Sequence, residues 1–141
     1  MCGKQRFYIC KKCGNLIGLI EDKGVPMQCC GEDMAELAAN TAEASVEKHL
    51  PVITAAATAA DDAASGEGIE CISVQVGSVP HPMEDAHHIS FIYIETERGG
   101  QRKCLRVGEA PKLTFRFSDD KPVAVYAYCN LHGMWKTDLT A

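Results

Sequence analysis

The placement of the cysteines constrains the fold of this 141-residue chain more than any other feature. Five of its eight cysteines fall within the first 30 residues, as Cys2, Cys10-x-x-Cys13 and Cys29-Cys30. Two thiolates on one turn can share a metal ion, and four can enclose it in a tetrahedron. So short a segment cannot bury enough apolar surface to fold alone, and a bound metal is the usual remedy. We therefore predict a four-cysteine metal site near the N-terminus.

The metal and the state of the adjacent pair Cys29-Cys30 stay open at this point. Neighbouring side chains normally diverge, so two adjacent ligands predict a distorted tetrahedron. Zinc, which has no geometric preference from its d electrons, and a single iron are both compatible with these residues. A vicinal disulfide between Cys29 and Cys30 is an alternative that a reducing compartment disfavours. We assign no role to Cys2, and expect Cys71 and Cys104 to be small core residues of strands.

The composition excludes several classes of protein. Charged residues make up 23% of the chain, which argues against wholesale disorder. A net charge of −5 argues against a nucleic-acid binder, which would carry a basic face. No apolar run reaches the length of roughly 18 residues that a transmembrane helix needs, and the N-terminal residues have no apolar signal-peptide core. We therefore expect a soluble, cytoplasmic protein.

The sequence pattern divides the chain into two domains joined by a linker. Residues 1–36 form the cysteine-rich unit, residues 37–45 form a small, Ala-rich linker with room for a helical turn, and residues 46–141 form the second domain. The second domain shows runs of alternating or continuous apolar residues separated by Gly, Pro and Asp turns, which predicts a β-sandwich. The predicted strands are 69–76, 89–96, 102–107, 112–118 and 122–129. Between them and the linker, we expect Thr54–Gly68 to form a short helix or a mobile insertion loop, because it carries no large apolar residue.

A second group of candidate metal ligands is spread over the second domain. Four of the five histidines fall in short motifs bounded by turn residues. Cys129-x-x-His132 has the spacing that lets a thiolate and an imidazole share one ion. Each histidine taken alone could instead be an ordinary surface residue or a hydrogen-bonded core residue. The spacing does not decide between this interpretation and a metal ligand. The candidate ligands are His49, His81, His87, Cys129 and His132.

The order of these motifs resembles that of the desulfoferrodoxin family, the two-iron form of superoxide reductase. The resemblance covers nearly the whole chain, and its combination of motifs is specific. The motifs are Cys10-x-x-Cys13, Cys29-Cys30, Glu47-Lys48-His49, His81-Pro82-Met83, His87 and Cys129-Asn130-Leu131-His132-Gly133.

The resemblance implies a mainly β protein with two mononuclear iron ions per chain. The first domain is similar to desulforedoxin and holds one iron with Cys10, Cys13, Cys29 and Cys30. The second is an immunoglobulin-like β-sandwich similar to neelaredoxin. Its iron has four equatorial imidazoles and one axial thiolate, from His49, His81, His87, His132 and Cys129.

The resemblance also implies the reaction and two further site residues. The second iron reduces superoxide to hydrogen peroxide at an open position, which Glu47 can occupy in the ferric state. Lys48 places an ammonium beside that position, where it attracts the anionic substrate. The first iron serves electron transfer or stability. The expected partners are superoxide as substrate, a rubredoxin-like electron donor and a second copy of the chain in a homodimer.

The chain departs from the family pattern at two places. Thr54–Gly68 is longer than the usual connection after the first histidine motif. His88 follows His87, and we assign His87 as the ligand because its distance from His81 fits the motif.

Two other functions are weighed against superoxide reduction: a non-enzymatic iron protein that only transfers electrons, and a structural module stabilised by zinc.

Overall fold

The computed structural model describes residues 3–59 and 69–139. The chain divides into two compact units that meet at the junction of Ala38 and Ala39. The expected linker, residues 37–45, crosses this junction. It consists of turns and bends, and the helical turn considered for it is absent.

The first unit is built from five short strands. Three of them form an antiparallel sheet in the order β2-β1-β5, and the other two form a hairpin. Their bounds are β1 (Arg6–Ile9), β2 (Leu16–Leu19), β3 (Gln28–Cys29), β4 (Glu32–Asp33) and β5 (Ala35–Glu36). Among residues 3–38, only the side chains of Phe7 and Cys10 are buried. So small a core leaves the unit dependent on another source of stability.

The second unit is an immunoglobulin-like β-sandwich, as predicted. Helix α1 (Val46–His49) precedes seven antiparallel strands. One sheet has the order β10-β7-β6 and the other the order β12-β11-β8-β9, the three-plus-four arrangement of that fold. The strands are β6 (Pro51–Ala59), β7 (Ile69–Val76), β8 (Ile89–Thr96), β9 (Gly99–Cys104), β10 (Lys112–Ser118), β11 (Pro122–Cys129) and β12 (Gly133–Asp138).

The apolar core lies between these two sheets. Alternate residues of β7, β10 and β11 point inward, and β8 adds three isoleucines, so the core draws on four strands. Cys129, at the end of β11, belongs to this core and is 0% exposed. The other members are Ile72, Val74, Val76, Ile89, Ile92, Ile94, Phe115, Phe117, Val125 and Ala127.

The strand bounds follow the apolar pattern where it is strong and depart from it at β9. Strands β7, β8, β10 and β11 have the predicted bounds. Strand β9 begins at Gly99, three residues before the prediction, because Gly99 and Gly100 pair with β8 instead of forming the turn. A Cβ on Gly100 would lie 2.2 Å from the hydroxyl oxygen of Tyr93, so glycine here makes room for a ring.

The expectation for Thr54–Gly68 is wrong over its first part. Residues 54–59 belong to strand β6, which pairs with β7 from Pro51 to Ala59 around one register shift. Main-chain hydrogen bonds hold this pairing, so it needs no large side chain. Residues 60–68 lie outside the described part of the chain. Strand β12, which the apolar pattern did not predict, pairs with β11 along its length.

Cys71 and Cys104 lie in strands but are not core residues. Cys71 precedes the inward-facing Ile72 in β7, so its side chain lies on the other face and is only partly buried. Cys104 is exposed at the end of β9. Cys2 falls outside the described residues. In the parts of the chain that are described, no helix has the length and apolar character needed to cross a membrane.

Candidate metal centres

The four predicted cysteines of the first unit converge on one point. The sulfurs of Cys10, Cys13, Cys29 and Cys30 lie within 4.8 Å of one another. The Cys13–Cys29 separation is 3.6 Å and the Cys29–Cys30 separation is 4.0 Å. Sulfurs bound tetrahedrally to one ion at about 2.3 Å are about 3.8 Å apart. The spacing therefore fits a shared metal, and it leaves Cys29 and Cys30 as free thiols rather than a vicinal disulfide.

The backbone at Cys30 explains how two adjacent cysteines reach the same site. Strand β3 ends at Cys29, and Cys30 then adopts a left-handed φ of 53°. In an extended strand the two side chains would point to opposite faces. The left-handed residue turns the chain so that both sulfurs face one point, at a cost of about 1–2 kcal/mol. Such strain is typical of a functional position.

Hydrogen bonds make the thiol of Cys10 more acidic than those of Cys29 and Cys30. The amide of Cys13 donates to the sulfur of Cys10 at 3.5 Å. This bond is the largest cause that lowers the pKa of Cys10 to about 6. Sharing with the Cys13 thiol raises the pKa of Cys29 and raises that of Cys30 to about 12. Four neighbouring thiolates thus need a cation, and binding one displaces protons from the sulfurs.

The second group of predicted ligands meets at one end of the sandwich. His49 ends α1, His81 follows β7, His87 precedes β8, and Cys129 ends β11. Their ligand atoms lie within 4.8 Å of one another. His132, in the β11–β12 turn, places Nδ1 at 3.1 Å from Nε2 of His49 and at 3.7 Å from Sγ of Cys129. We call these five residues the His/Cys cluster.

Backbone carbonyls fix which imidazole nitrogens face inward. Nδ1 of His49 donates to the carbonyl of Ser45 at 2.7 Å, and Nδ1 of His81 donates to that of Pro82 at 2.7 Å. A carbonyl can only accept, so in the neutral rings both Nε2 atoms carry lone pairs. These two Nε2 atoms are 3.2 Å apart. Neighbouring donors on a metal with bonds of about 2.1 Å are separated by about 3 Å.

A cation at the His/Cys cluster would remove two unfavourable features. The facing lone pairs of His49 and His81 repel each other unless a positive charge lies between them. The Nε2 atom of His87 is buried and has no hydrogen-bond partner among residues 3–59 and 69–139, which is costly for a polar atom. Imidazole and thiolate donors together suit a transition metal such as iron. The residues present therefore fit the iron that the family resemblance implies.

Burial also keeps the imidazoles in the form that binds metals. Burial lowers the pKa of His81 to about 4 and is the main cause that lowers the pKa values of His49 and His87. The charge of Lys48 adds to the decrease at His49 and His87. A neutral ring presents a free lone pair, so these histidines are ready to bind a metal at neutral pH.

Two residues that support His49 were not identified from the sequence. Trp135 is 2% exposed and lies against the His49 ring, with the ring centroids 4.9 Å apart. Its indole N–H donates to the carbonyl of His132 at 3.2 Å. Gly77 has a φ of 84°, and a Cβ there would lie 2.7 Å from the carbonyl oxygen of Lys48 and 2.2 Å from that of Val79. Glycine thus allows β7 and α1 to approach closely.

Gly77→Ala is therefore expected to displace α1 and His49. We expect a loss of about 2 kcal/mol or more in the free energy of unfolding, from the clash and the left-handed φ together. Metal affinity of the His/Cys cluster should fall at least about tenfold, because His49 shifts. Gly108→Ala is the control: its φ is 88°, but a Cβ there meets nothing within 4 Å. Equal losses of metal affinity in the two variants would contradict this role of Gly77.

The remaining predicted site residues lie beside the His/Cys cluster. Glu47 and Lys48 occupy α1 next to His49, and both side chains are exposed. His88 is not in the cluster: its Nδ1 lies 3.1 Å from the carbonyl of Glu84 and 3.2 Å from that of Asp85. Of the neighbouring pair, His87 is the one whose ring faces the cluster, where its centroid is 4.5 Å from that of His81.

Comparison with known proteins identifies the family. The family model described as Desulfoferrodoxin matches residues 41–138, which is more than half of the chain. The chain belongs to the desulfoferrodoxin family. The resemblance of the sequence motifs to this family is thus confirmed, and the four-cysteine site and the His/Cys cluster are consistent with two metal sites.

Relatives and a solved structure are similar to this chain over two thirds of its length or nearly all of it. A desulfoferrodoxin from Nitratidesulfovibrio vulgaris is 37% identical over 138 residues, covering 98% of this chain and 99% of the relative. A superoxide reductase from Pyrococcus horikoshii is 30% identical over 107 residues, covering 66% of this chain and 86% of the relative. The crystal structure of the superoxide reductase from Treponema pallidum matches with a TM-score of 0.73 and 31% identity, covering 96% of this chain and all of that one.

Proposed function

We propose that this protein is a superoxide reductase: one superoxide, one electron and two protons give one hydrogen peroxide. The observation that carries this proposal is the convergence of imidazole nitrogens and one buried thiolate at the end of the sandwich. Relatives and a solved structure that bear the name superoxide reductase support it. The proposed iron ligands are His49, His81, His87, His132 and Cys129. Iron held by these residues would supply the electron and a place for the substrate to bind.

The four-cysteine site is proposed to hold a second iron with a different role. Its four thiolates use every position of a tetrahedral ion, so superoxide has no place to bind. The role left to this site is electron transfer or stabilisation of the first unit, whose described part buries only Phe7 and Cys10. This division of roles applies to the proposed domains, residues 1–36 and 46–141.

Lys48 is proposed to attract superoxide to the His/Cys cluster. The chain carries a net charge of −5, so its average field repels an anion, and a local positive charge must dominate at the site. Lys48 is exposed beside His49, and its charge contributes to lowering the pKa values of His49 and His87. Its ammonium therefore acts on the place where the substrate arrives.

Lys48→Ala is expected to slow the second-order reaction with superoxide by about tenfold, the lower end of the effect of electrostatic steering. The dependence of this rate on ionic strength should flatten, because the screened charge is gone. Pulse radiolysis at several salt concentrations measures the rate and its dependence on ionic strength. The iron content of the variant should be unchanged. Lys112→Ala, which removes an exposed lysine from β10, is the matched control. A rate like that of the parent protein would exclude Lys48 from this role.

Glu47 is proposed to bind the ferric iron after turnover. The backbone of Glu47 is fixed, since its carbonyl accepts hydrogen bonds from the amide of Val79 at 3.1 Å and the hydroxyl of Ser78 at 3.2 Å. Its side chain is exposed, and the residue directly precedes Lys48 and His49 in α1, so the carboxylate is available as a negatively charged ligand.

Metal content and the visible spectrum of the purified protein are the first test of the proposal that it is a superoxide reductase with two iron sites. We expect two irons per chain, the colour of a ferric tetrathiolate, and a further red-region thiolate-to-iron band after mild oxidation. Binding of azide at the second iron would demonstrate the open position, and superoxide kinetics would then measure the activity. Two irons with no azide binding and no reaction with superoxide would favour a protein that only transfers electrons. Zinc alone, with failed reconstitution by iron, would favour a structural module.

A rubredoxin-like electron donor, a homodimer and a cytoplasmic location complete the proposal. They rest on the family resemblance and the sequence composition rather than on the geometry of the sites.

A further inference from the structure

The side chain of Asn130 joins the two loops that carry most of the His/Cys cluster. Its Nδ2 donates to the carbonyl of Ala86 at 3.0 Å, and its Oδ1 accepts the amide hydrogen of His88 at 2.8 Å. Its own amide donates to the carbonyl of His88 at 3.1 Å. Asn130 follows Cys129 directly, so three hydrogen bonds connect the Cys129–His132 turn to the residues on either side of His87.

The loop of residues 84–88, which carries His87, is held together by its own hydrogen bonds. Glu84 and His87 exchange two backbone hydrogen bonds, of 2.9 and 3.1 Å. The ring of His88 adds a bond to the carbonyl of Glu84 or Asp85. These bonds tie residues 84–88 into one turn, and the side chain of Asn130 connects it to the Cys129–His132 turn. Within the described part of the chain, Nε2 of His87 has no hydrogen bond to hold the ring in place.

We propose that Asn130 is a positioning residue, whose amide sets the separation of His87 from Cys129 and His132 and thereby the metal affinity of the His/Cys cluster. This inference rests on the proposed function, because it takes the cluster as the site of the metal. Groups that hold metal ligands in place typically change affinity by about 10–100-fold when they are removed. The amide uses both its donor and its acceptor, which an alanine or an ionised aspartate cannot reproduce.

Asn40 offers a matched control in the same unit. Its Nδ2 donates to the carbonyl of Lys136 at 3.0 Å, its Oδ1 accepts the Lys136 amide at 2.8 Å, and its own amide donates to the carbonyl of Met134 at 3.0 Å. Asn40 thus makes the same three kinds of bond as Asn130, but to strand β12 rather than to a ligand loop. Asn130→Ala and Asn40→Ala each remove two bonds and keep the one from the backbone.

The test is titration of the metal-free, full-length chain with Co²⁺, followed by absorption. The bands of the four-cysteine site serve as an internal reference. We expect Asn130→Ala to weaken Co²⁺ binding at the His/Cys cluster by 10–100-fold and to shift its thiolate-to-cobalt band. Asn40→Ala should lower the denaturation midpoint but leave the Co²⁺ affinity of the His/Cys cluster and the position of its thiolate-to-cobalt band unchanged. The bands of the four-cysteine site should be the same in all three proteins.

Hydrogen exchange of the metal-free proteins gives a second measurement. The amide of His88 should exchange faster only in Asn130→Ala, and that of Lys136 only in Asn40→Ala. Unchanged Co²⁺ affinity and band position in Asn130→Ala would overturn the proposal, as would an equal loss of affinity in Asn40→Ala. Because neither measurement uses superoxide, an inactive protein that still shows the expected cobalt difference would refute the proposed function and keep the role of Asn130.

Discussion

Cys129→Ser is expected to lower the rate of superoxide reduction by at least about 100-fold, the upper end of the effect of altering a metal site. Cys129 is the single sulfur of the His/Cys cluster and is 0% exposed within the core of the sandwich. A serine hydroxyl is a far weaker donor to iron than a thiolate, and it adds a polar group to an apolar core. The red-region thiolate band should disappear, and stopped-flow kinetics measures the loss of rate.

Cys104→Ser is the control for this substitution. Cys104 is exposed at the end of β9, so the same chemical change there should leave both the spectrum and the rate as they are. The denaturation midpoint of Cys129→Ser needs to be measured as well, to separate loss of the ligand from loss of the fold. A folded Cys129→Ser protein that keeps the band or the rate would refute the assignment of Cys129.

Cys13→Ser is expected to empty the four-cysteine site and leave superoxide reduction by the pre-reduced protein within about twofold of the parent. Cys13 lies 3.6 Å from Cys29 in the group of four sulfurs, and a tetrahedral site that loses one thiolate is open to water. Without the metal, a unit whose described part buries only Phe7 and Cys10 should unfold. Iron content should fall from two to one per chain, and the amides of β1 and β2 should lose protection from hydrogen exchange.

Cys71→Ser serves as the control, since Cys71 is a partly buried thiol of β7 outside both sites. It should keep two irons and the exchange protection of β1 and β2. Complete loss of superoxide reduction in a Cys13→Ser protein with a folded sandwich would contradict the division of roles between the two sites.

The sequence predicts the parts of this fold that depend on side-chain chemistry repeated along the chain. The apolar pattern of 112–118, with Leu113, Phe115 and Phe117 alternating, predicts β10 at its observed bounds. The spacing of the N-terminal cysteines likewise predicts the group of four sulfurs, whereas the histidines that meet at the His/Cys cluster are those that the family resemblance implies. These predictions succeed because alternation and ligand spacing are local properties that the tertiary structure preserves.

Other features depend on contacts between distant segments and leave little trace in the sequence. Strand β6 runs through alanines because β7 supplies its hydrogen bonds, and helix α1 has only four residues, too few for a periodic signal. The fit of Gly77 against Lys48 joins residues 29 positions apart. The φ of 53° at Cys30, which lets adjacent cysteines share a site, follows from the site and not from any local preference of cysteine.

The carbonyls of Ser45 and Pro82 hold the rings of His49 and His81 without help from a metal. The sandwich has its own apolar core, so we expect its site to exist before iron arrives. We expect the first unit, whose described part buries only Phe7 and Cys10, to gain its shape from a bound ion. Under iron starvation, a newly made chain would therefore consist of a folded sandwich with its metal-binding site already formed and an unfolded N-terminal tail. That tail is open to proteases, so the length of the chain recovered from starved cells would record whether the first site had ever been filled.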